Sequence, residues 1–459
     1  MDKNDKLIYN HNCKKVVRKF MKTVVTKTER NATDMIQSAL DKVFLAGGGT
    51  VEIAEGNYNI GAIRVRSNTT LYLKNGAYLK GTRDPEDYNI LKKDTIEPLS
   101  EEDLKRVEWE FCPEVQIDHG WQCAPGSRWN HALIRLVDAH NVCIIGEEGS
   151  LIDGSNCYDA LGEENYRGPH GISIFRSENV ICKGYTIQNT GNWAHIGAHS
   201  KNLSFTNITA LKGHDGIHCT GCDNVVISDC EFYTGDDCIA GFDNINFTVR
   251  NCILNTACSA FRFGCTNAII ENCTVYGPAK NNFRCALSLE DKISGTDAPE
   301  PTRKNMLSFF TYYADFTYKI REMPGNINIR NCTCKNVDRI VNLDYSGNNR
   351  WQCNKPLTSL SFENVMIENA KIPLFLHGGK EAPIDFSMKN VSVSFVDEVD
   401  NLIYARNCKK ISLEEVTVSG VSGVAVKSFG NSGILVSEKV DGIIADTVST
   451  DEKWNFTVI

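Results

Sequence analysis

Apolar and polar residues alternate with period two along most of the chain, in short runs separated by turns. Asn179 opens NVICKGYTIQNT, Asn202 opens NLSFTNITALKG, Asn224 opens NVVISDCEFYTG, Asn246 opens NFTVRNCILNTA and Asn267 opens NAIIENCTVYGP. The steps between them are 21 to 23 residues. An earlier copy begins at Asn141, and later ones begin at Asn326, Ser359, Asp385 and Lys410. Period-two alternation is the pattern of strands. Self-similarity at this spacing marks a solenoid. No helical periodicity runs inside a unit, and the LxxLxL signature of leucine-rich repeats is absent. The prediction is an all-β chain wound as a single-stranded, right-handed parallel β-helix, with about one unit per turn.

Units stacked in this way bury their inward side chains against the coils above and below. Cys230, Cys252 and Cys273 share one position in successive units, as do the opening asparagines. Both sets are expected to stack inside. An open strand end invites aggregation. TDMIQSALDKVF at Thr33–Phe44 has helical spacing at Ile36, Leu40, Val43 and Phe44 and is expected to cap the N-terminal mouth. The expected organisation is an N-terminal extension over 1–30 and one β-helix domain over 31–459. Two segments break the repeat: 84–130, with Trp109, Trp121 and Trp129, and 290–324, with SFFTYYADFTY. Both read as inserted loops on one face.

Composition narrows the function classes. The chain has 459 residues, 42% hydrophobic and 23% charged, which suits a soluble globular protein. A net charge of −8 without a long basic run argues against nucleic acid as a partner. No apolar run reaches the roughly 18 residues of a membrane span. The basic N-terminus lacks an apolar export core, so a cytoplasmic location is expected. The 19 cysteines are scattered. Cys219/Cys222 is an isolated CxxC and Cys332/Cys334 a CxC, so reduced, buried thiols are expected rather than a metal site. No cofactor is implied, and self-association is left open.

The chemistry concentrates in LKGHDGIHCTGCDNVVISDCEFYTGDDCIAG, Leu211–Gly241. Asp215 and Asp237 are 22 residues apart, one turn of the coil, and stacked coils lie about 4.8 Å apart. Asp236 and Asp237 are consecutive and would face opposite ways in a regular strand. Gly235 offers a turn or bulge that brings both outward. Three carboxylates on one patch repel each other and push one pKa upward, which supplies a proton donor for acid/base work. The same stepping runs from His218 through Ala240 and Arg262 to Arg284, so the two arginines are expected to stack on adjacent turns. His214 falls one turn before Asp236. Arginines beside acids point to an anionic ligand such as a sugar carboxylate, or to salt bridges with the acids themselves.

At these residues the sequence resembles glycoside hydrolase family 28, the polygalacturonases, whose ordered motifs are NTD, GDD, GHG and RIK. GHDG at Gly213–Gly216 occupies the NTD place, and GDD is intact at Gly235–Asp237. AGGGTVEIAEGNY at Ala46–Tyr58, RGPHGISIFRSENV at Arg167–Val180 and NWAHI at Asn192–Ile196 resemble the family's supporting segments. The GHG place reads Cys258-Ser259-Ala260 and the RIK place Arg284-Cys285-Ala286, so the family histidine and lysine are replaced. The resemblance implies a right-handed parallel β-helix that hydrolyses galacturonate-containing oligosaccharides with inversion and needs no metal. It implies Asp236 as general acid, Asp215 and Asp237 as the pair that activates water, and Arg284 on the substrate carboxylate. His214, His218, Arg262, Ser259 and His195 complete the expected substrate-binding set. Two other readings stay open at this point: a β-helix lyase with an arginine base and calcium, and an oligosaccharide-binding protein without catalysis.

Overall fold

The computed structural model describes residues 21–26, 32–88, 128–294, 303–315, 320–347, 349–430 and 433–450. Its strands join in one continuous, wholly parallel winding. Each turn contributes three strands. In the middle of the coil these are His195–Ala198, Lys201–Thr206 and Thr209–Lys212, which lie beside Ile217–Thr220, Asp223–Ser228 and Glu231–Thr234 of the next turn. Interior columns follow from the alternation. Ile172, His195, Ile217, Ile239, Phe261, Phe310 and Val341 stack in register on one wall. The continuous column of apolar side chains is the core.

Cys230, Cys252, Cys273 and Cys332 stack inside as expected, each 1–2% exposed. Each thiol donates to the carbonyl two residues earlier, at 3.2–3.3 Å. The asparagines stack too, but on the outside. From Asn141 through Asn179, Asn202, Asn224, Asn246 and Asn267 to Asn326, each side-chain amide donates to the preceding asparagine's Oδ1 at 2.9–3.3 Å. The reason is backbone geometry. These residues turn the corner with φ near +55°, a conformation asparagine tolerates better than most residues, and at that corner the side chain points to solvent.

The helix spans Thr33–Leu45, with Ile36, Leu40 and Val43 buried against the first coil. Met21–Val25 pairs with Gly49–Ile53, so the winding begins inside the segment expected as an extension. Most of the 84–130 insertion, Trp109 and Trp121 included, lies outside the described residues. The second insertion is not one loop. Met306–Tyr312 is a strand between Ser259–Glu271 and Thr333–Asp344, with Phe309, Phe310 and Tyr312 buried. The aromatic run belongs to the coil because its alternation fills the interior. No described helix is long and apolar enough to cross a membrane.

Candidate active site

Asp215 precedes the strand Ile217–Thr220 and Asp237 precedes Ile239–Arg250, at equivalent places on adjacent rungs. Their column continues through Ser259 and Ser308. The Ser259 amide donates to Asp237 Oδ1 at 2.9 Å. Asp236 sits in the turn between strands, its carbonyl accepting from Thr234 Oγ1 at 2.7 Å. That turn presents both consecutive carboxylates to one site. Gly235 is needed there for space rather than for a left-handed bulge, because a Cβ would meet Gly213 O at 2.4 Å and Asn282 O at 2.7 Å.

The histidines separate by role. His218 stacks on Trp193 with ring centres 3.6 Å apart, and its Nδ1 lies 2.9 Å from Asp215 Oδ2. His214 is fully buried, with Nδ1 3.7 Å from Asp236 Oδ2. His195 is not in the site. It is buried in the interior column, held by Tyr185 Oη at 2.9 Å and Gly216 O at 3.0 Å. Its place in the strand alternation points it inward, and these two partners satisfy it there.

The arginines also differ from expectation. Arg262 follows the acids on the neighbouring outward column. Its guanidinium lies 4.3 Å from the Tyr313 ring centre and 5.0 Å from that of Trp351, with Nη1 3.8 Å from Asp237 Oδ2. Its partner on the next rung is Thr311. Arg284 does not stack there, because the chain leaves the coil after Tyr276 and returns at Met306. It reaches the site from that loop instead, its amide donating to Gly235 O at 2.8 Å. One arginine from the wall therefore borders the acids, and the backbone of a second, from an insertion, is tied to the turn that carries Asp236.

Several residues here carry no signal in the repeat. Arg167 places Nη2 3.4 Å from Asp236 Oδ2, and its Nε lies 2.9 Å from Glu164 Oε2 and 3.7 Å from Glu163 Oε2. Cys285 Sγ lies 3.8 Å from Asp236 Oδ2 and accepts from Tyr166 Oη at 3.2 Å. Lys292 Nζ lies 3.9 Å from the Tyr166 ring centre. The Arg167 segment was visible as a family-like stretch, but its ion pair with Asp236 was not.

The electrostatics split the three acids. Burial pushes Asp215 well above the usual carboxylate range, and the charges of Asp236 and Asp237 add to it. Burial and Asp236 raise Asp237 as well. Asp236 goes the other way: burial opposes its ionisation, but His214 and Arg167 outweigh that and hold it low. Burial lowers His214 to about 3, so near pH 7 it is neutral and Arg167 is the standing charge on Asp236. The raised carboxyl expected on the acid column is thus Asp215 or Asp237 in the free protein. The donor atoms of His214, Asp236 and Cys285 lie within 4.8 Å of one another, as do those of Asp236, Asp237 and Cys258. The Arg167 guanidinium beside the first group disfavours a cation there.

Three comparisons bear on this arrangement. The family model described as glycosyl hydrolases family 28 matches residues 114–255, the span that contains Asp215, Asp236 and Asp237. A probable polygalacturonase of Vitis vinifera is 26% identical over 227 residues, 48% of this chain and 41% of that protein. The match thus spans less than half of that relative's length. Among solved structures, an exopolygalacturonase of Thermotoga maritima superimposes with a TM-score of 0.61 at 15% identity, covering 87% of this chain and 92% of the other. A family 28 exopolygalacturonase of Yersinia enterocolitica gives 0.57 at 18% identity, covering 93% and 79%. The coil, the paired acids one rung apart and the family model agree: over residues 114–255 the chain is similar to glycoside hydrolase family 28.

Proposed function

We infer that the protein hydrolyses glycosidic bonds in galacturonate-containing oligosaccharides, with inversion and from the chain end. One observation carries the reading: three buried carboxyls converge at one point of the outer wall, beside the guanidinium groups of Arg167 and Arg262. Carboxyls of unlike protonation on one site are the equipment of glycoside hydrolysis, and flanking arginines suit an acidic sugar.

In this reading Asp236 protonates the leaving oxygen, and Asp215 with Asp237 holds and activates water. Asp236 is ionised in the free protein, so its proton must arrive with the substrate. A sugar carboxylate that engages Arg167 and Arg284 draws positive charge away from Asp236 and favours protonation. His218, stacked on Trp193, orients Asp215. Ser259 fixes Asp237 through its backbone amide. The names of the exopolygalacturonase relatives support end-wise action, as do the Glu163–Arg167 and Asn282–Lys292 segments that wall the Asp236 side.

The test is incubation with oligogalacturonides of defined length, with products identified by mass and anomeric configuration by NMR. Stepwise release of end sugars with inverted configuration is expected. Random internal cuts would remove the end-wise element. An unsaturated product absorbing in the near ultraviolet, lost on chelation, would replace hydrolysis by elimination.

A further inference from the structure

The outward columns of the wall do not end at the acids. Arg262 is followed by Thr311 and then Asn342. Beside them Ser259 is followed by Ser308 and then Arg339. Ser308 Oγ lies 2.5 Å from Thr311 Oγ1, and Arg339 Nη1 donates to Asn342 Oδ1 at 3.4 Å. The side chains of the two columns lean together and form a polar strip. On the following rung the strip stops: Phe375 succeeds Asn342 and stacks on Tyr404 with ring centres 5.3 Å apart.

Arg339 is half-buried, and among the described residues no carboxylate pairs with it. Its strand neighbour Asp338 points elsewhere, to Lys371 Nζ at 2.7 Å and to the Asn305 amide. Burial lowers the pKa of this guanidinium, with only Asp338 opposing. A partly desolvated arginine that, among the described residues, makes one side-chain hydrogen bond, to the Asn342 amide oxygen, is poised for an anion.

The geometry points to a second anionic-sugar subsite, formed by Arg339 and Asn342 two rungs beyond Arg262. Two rungs are about 10 Å, so the sugar held there is not one of the pair joined by the scissile bond. This subsite rests on the proposed function and deepens it. The substrate is a chain with acidic groups on successive sugars, and its length preference is set by where the polar strip gives way to Phe375.

The test compares digalacturonate with tetragalacturonate on wild type and Arg339→Met. The subsite predicts that Arg339→Met loses about tenfold in kcat/KM on the tetramer, as befits one charged hydrogen bond, and stays within twofold on the dimer. Equal losses on both lengths, or no loss on either, would overturn it. Titration calorimetry with the same oligomers on Asp237→Asn separates this proposal from the catalytic reading. Length-dependent binding that needs Arg339, without turnover in the wild type, would keep the subsite and remove the hydrolase. Turnover without Arg339 dependence would remove the subsite alone. An unchanged melting temperature for Arg339→Met establishes that the loss is local.

Discussion

Arg167 controls when Asp236 can carry a proton, and replacing it with methionine exposes that control. Two unit charges at the observed 3.4 Å interact by about 5 kcal/mol at an effective dielectric of about 20. The charge centres lie further apart than the nearest atoms. Even a third of that energy is about one pH unit. The groups that act on Asp236 include His214, Arg167, Cys258, Cys285, Arg262, Glu163 and the other two aspartates. Of these, Arg167 is the cation that offsets burial while His214 is neutral. Removing it raises the pKa of Asp236 and of the coupled pair. The kcat/KM profile against pH reports the free enzyme, so its acid limb should move up by about one unit or more in Arg167→Met. The height will also fall, since the arginine is proposed to meet substrate. A lowered profile with an unmoved limb would refute the reasoning and leave Arg167 a binding residue only.

Glu163, nearly buried beside Arg167, has its carboxyl raised by burial from 4.5 to about 7. Its folded pKa exceeds its unfolded one, so the stability it lends is complete below about pH 4.5 and is lost as pH rises towards 7. Glu163→Gln should therefore gain on wild type by up to about 3 kcal/mol between pH 5 and 8, read as the change in relative melting temperature; parallel curves would contradict this. Asn224→Ala removes two rungs of the outer ladder and forces alanine into φ +58°, which should cost about 2–3 kcal/mol in denaturant. Asn224→Gly restores the backbone freedom and should recover about 1 kcal/mol of it. Arg262→Met should lower kcat/KM on oligogalacturonides about ten- to hundredfold and on their methyl esters much less; equal losses would mean that the arginine serves Asp237 rather than the substrate.

The coil and the core of the site were legible because both follow one period. A repeat of about 22 residues fixes which side chains share a column, so Asp215 and Asp237 could be stacked without coordinates. The same arithmetic failed for Arg284 because the chain departs from the coil between Asn267 and Arg284, and counting cannot see a departure. It failed for His195 because a polar residue on an inward position looks like any other until its partners, Tyr185 and Gly216, are known. SFFTYY reads as part of a loop because it follows a long irregular stretch, although its alternation is strand-like. Arg167 and Lys292 carry no periodic signal, since loops that return to the wall do so through tertiary contacts.

Asn267 and Asn326 are neighbours in the outer ladder although 59 residues separate them in the chain. The excursion that delivers Arg284 and Lys292 therefore leaves and rejoins without disturbing the register of the wall. The part that leaves the coil, between Tyr276 and Met306, behaves as an exchangeable cassette seated on a fixed frame, so grafting a different segment there should retune sugar preference while Asp215 and Asp237 keep their spacing.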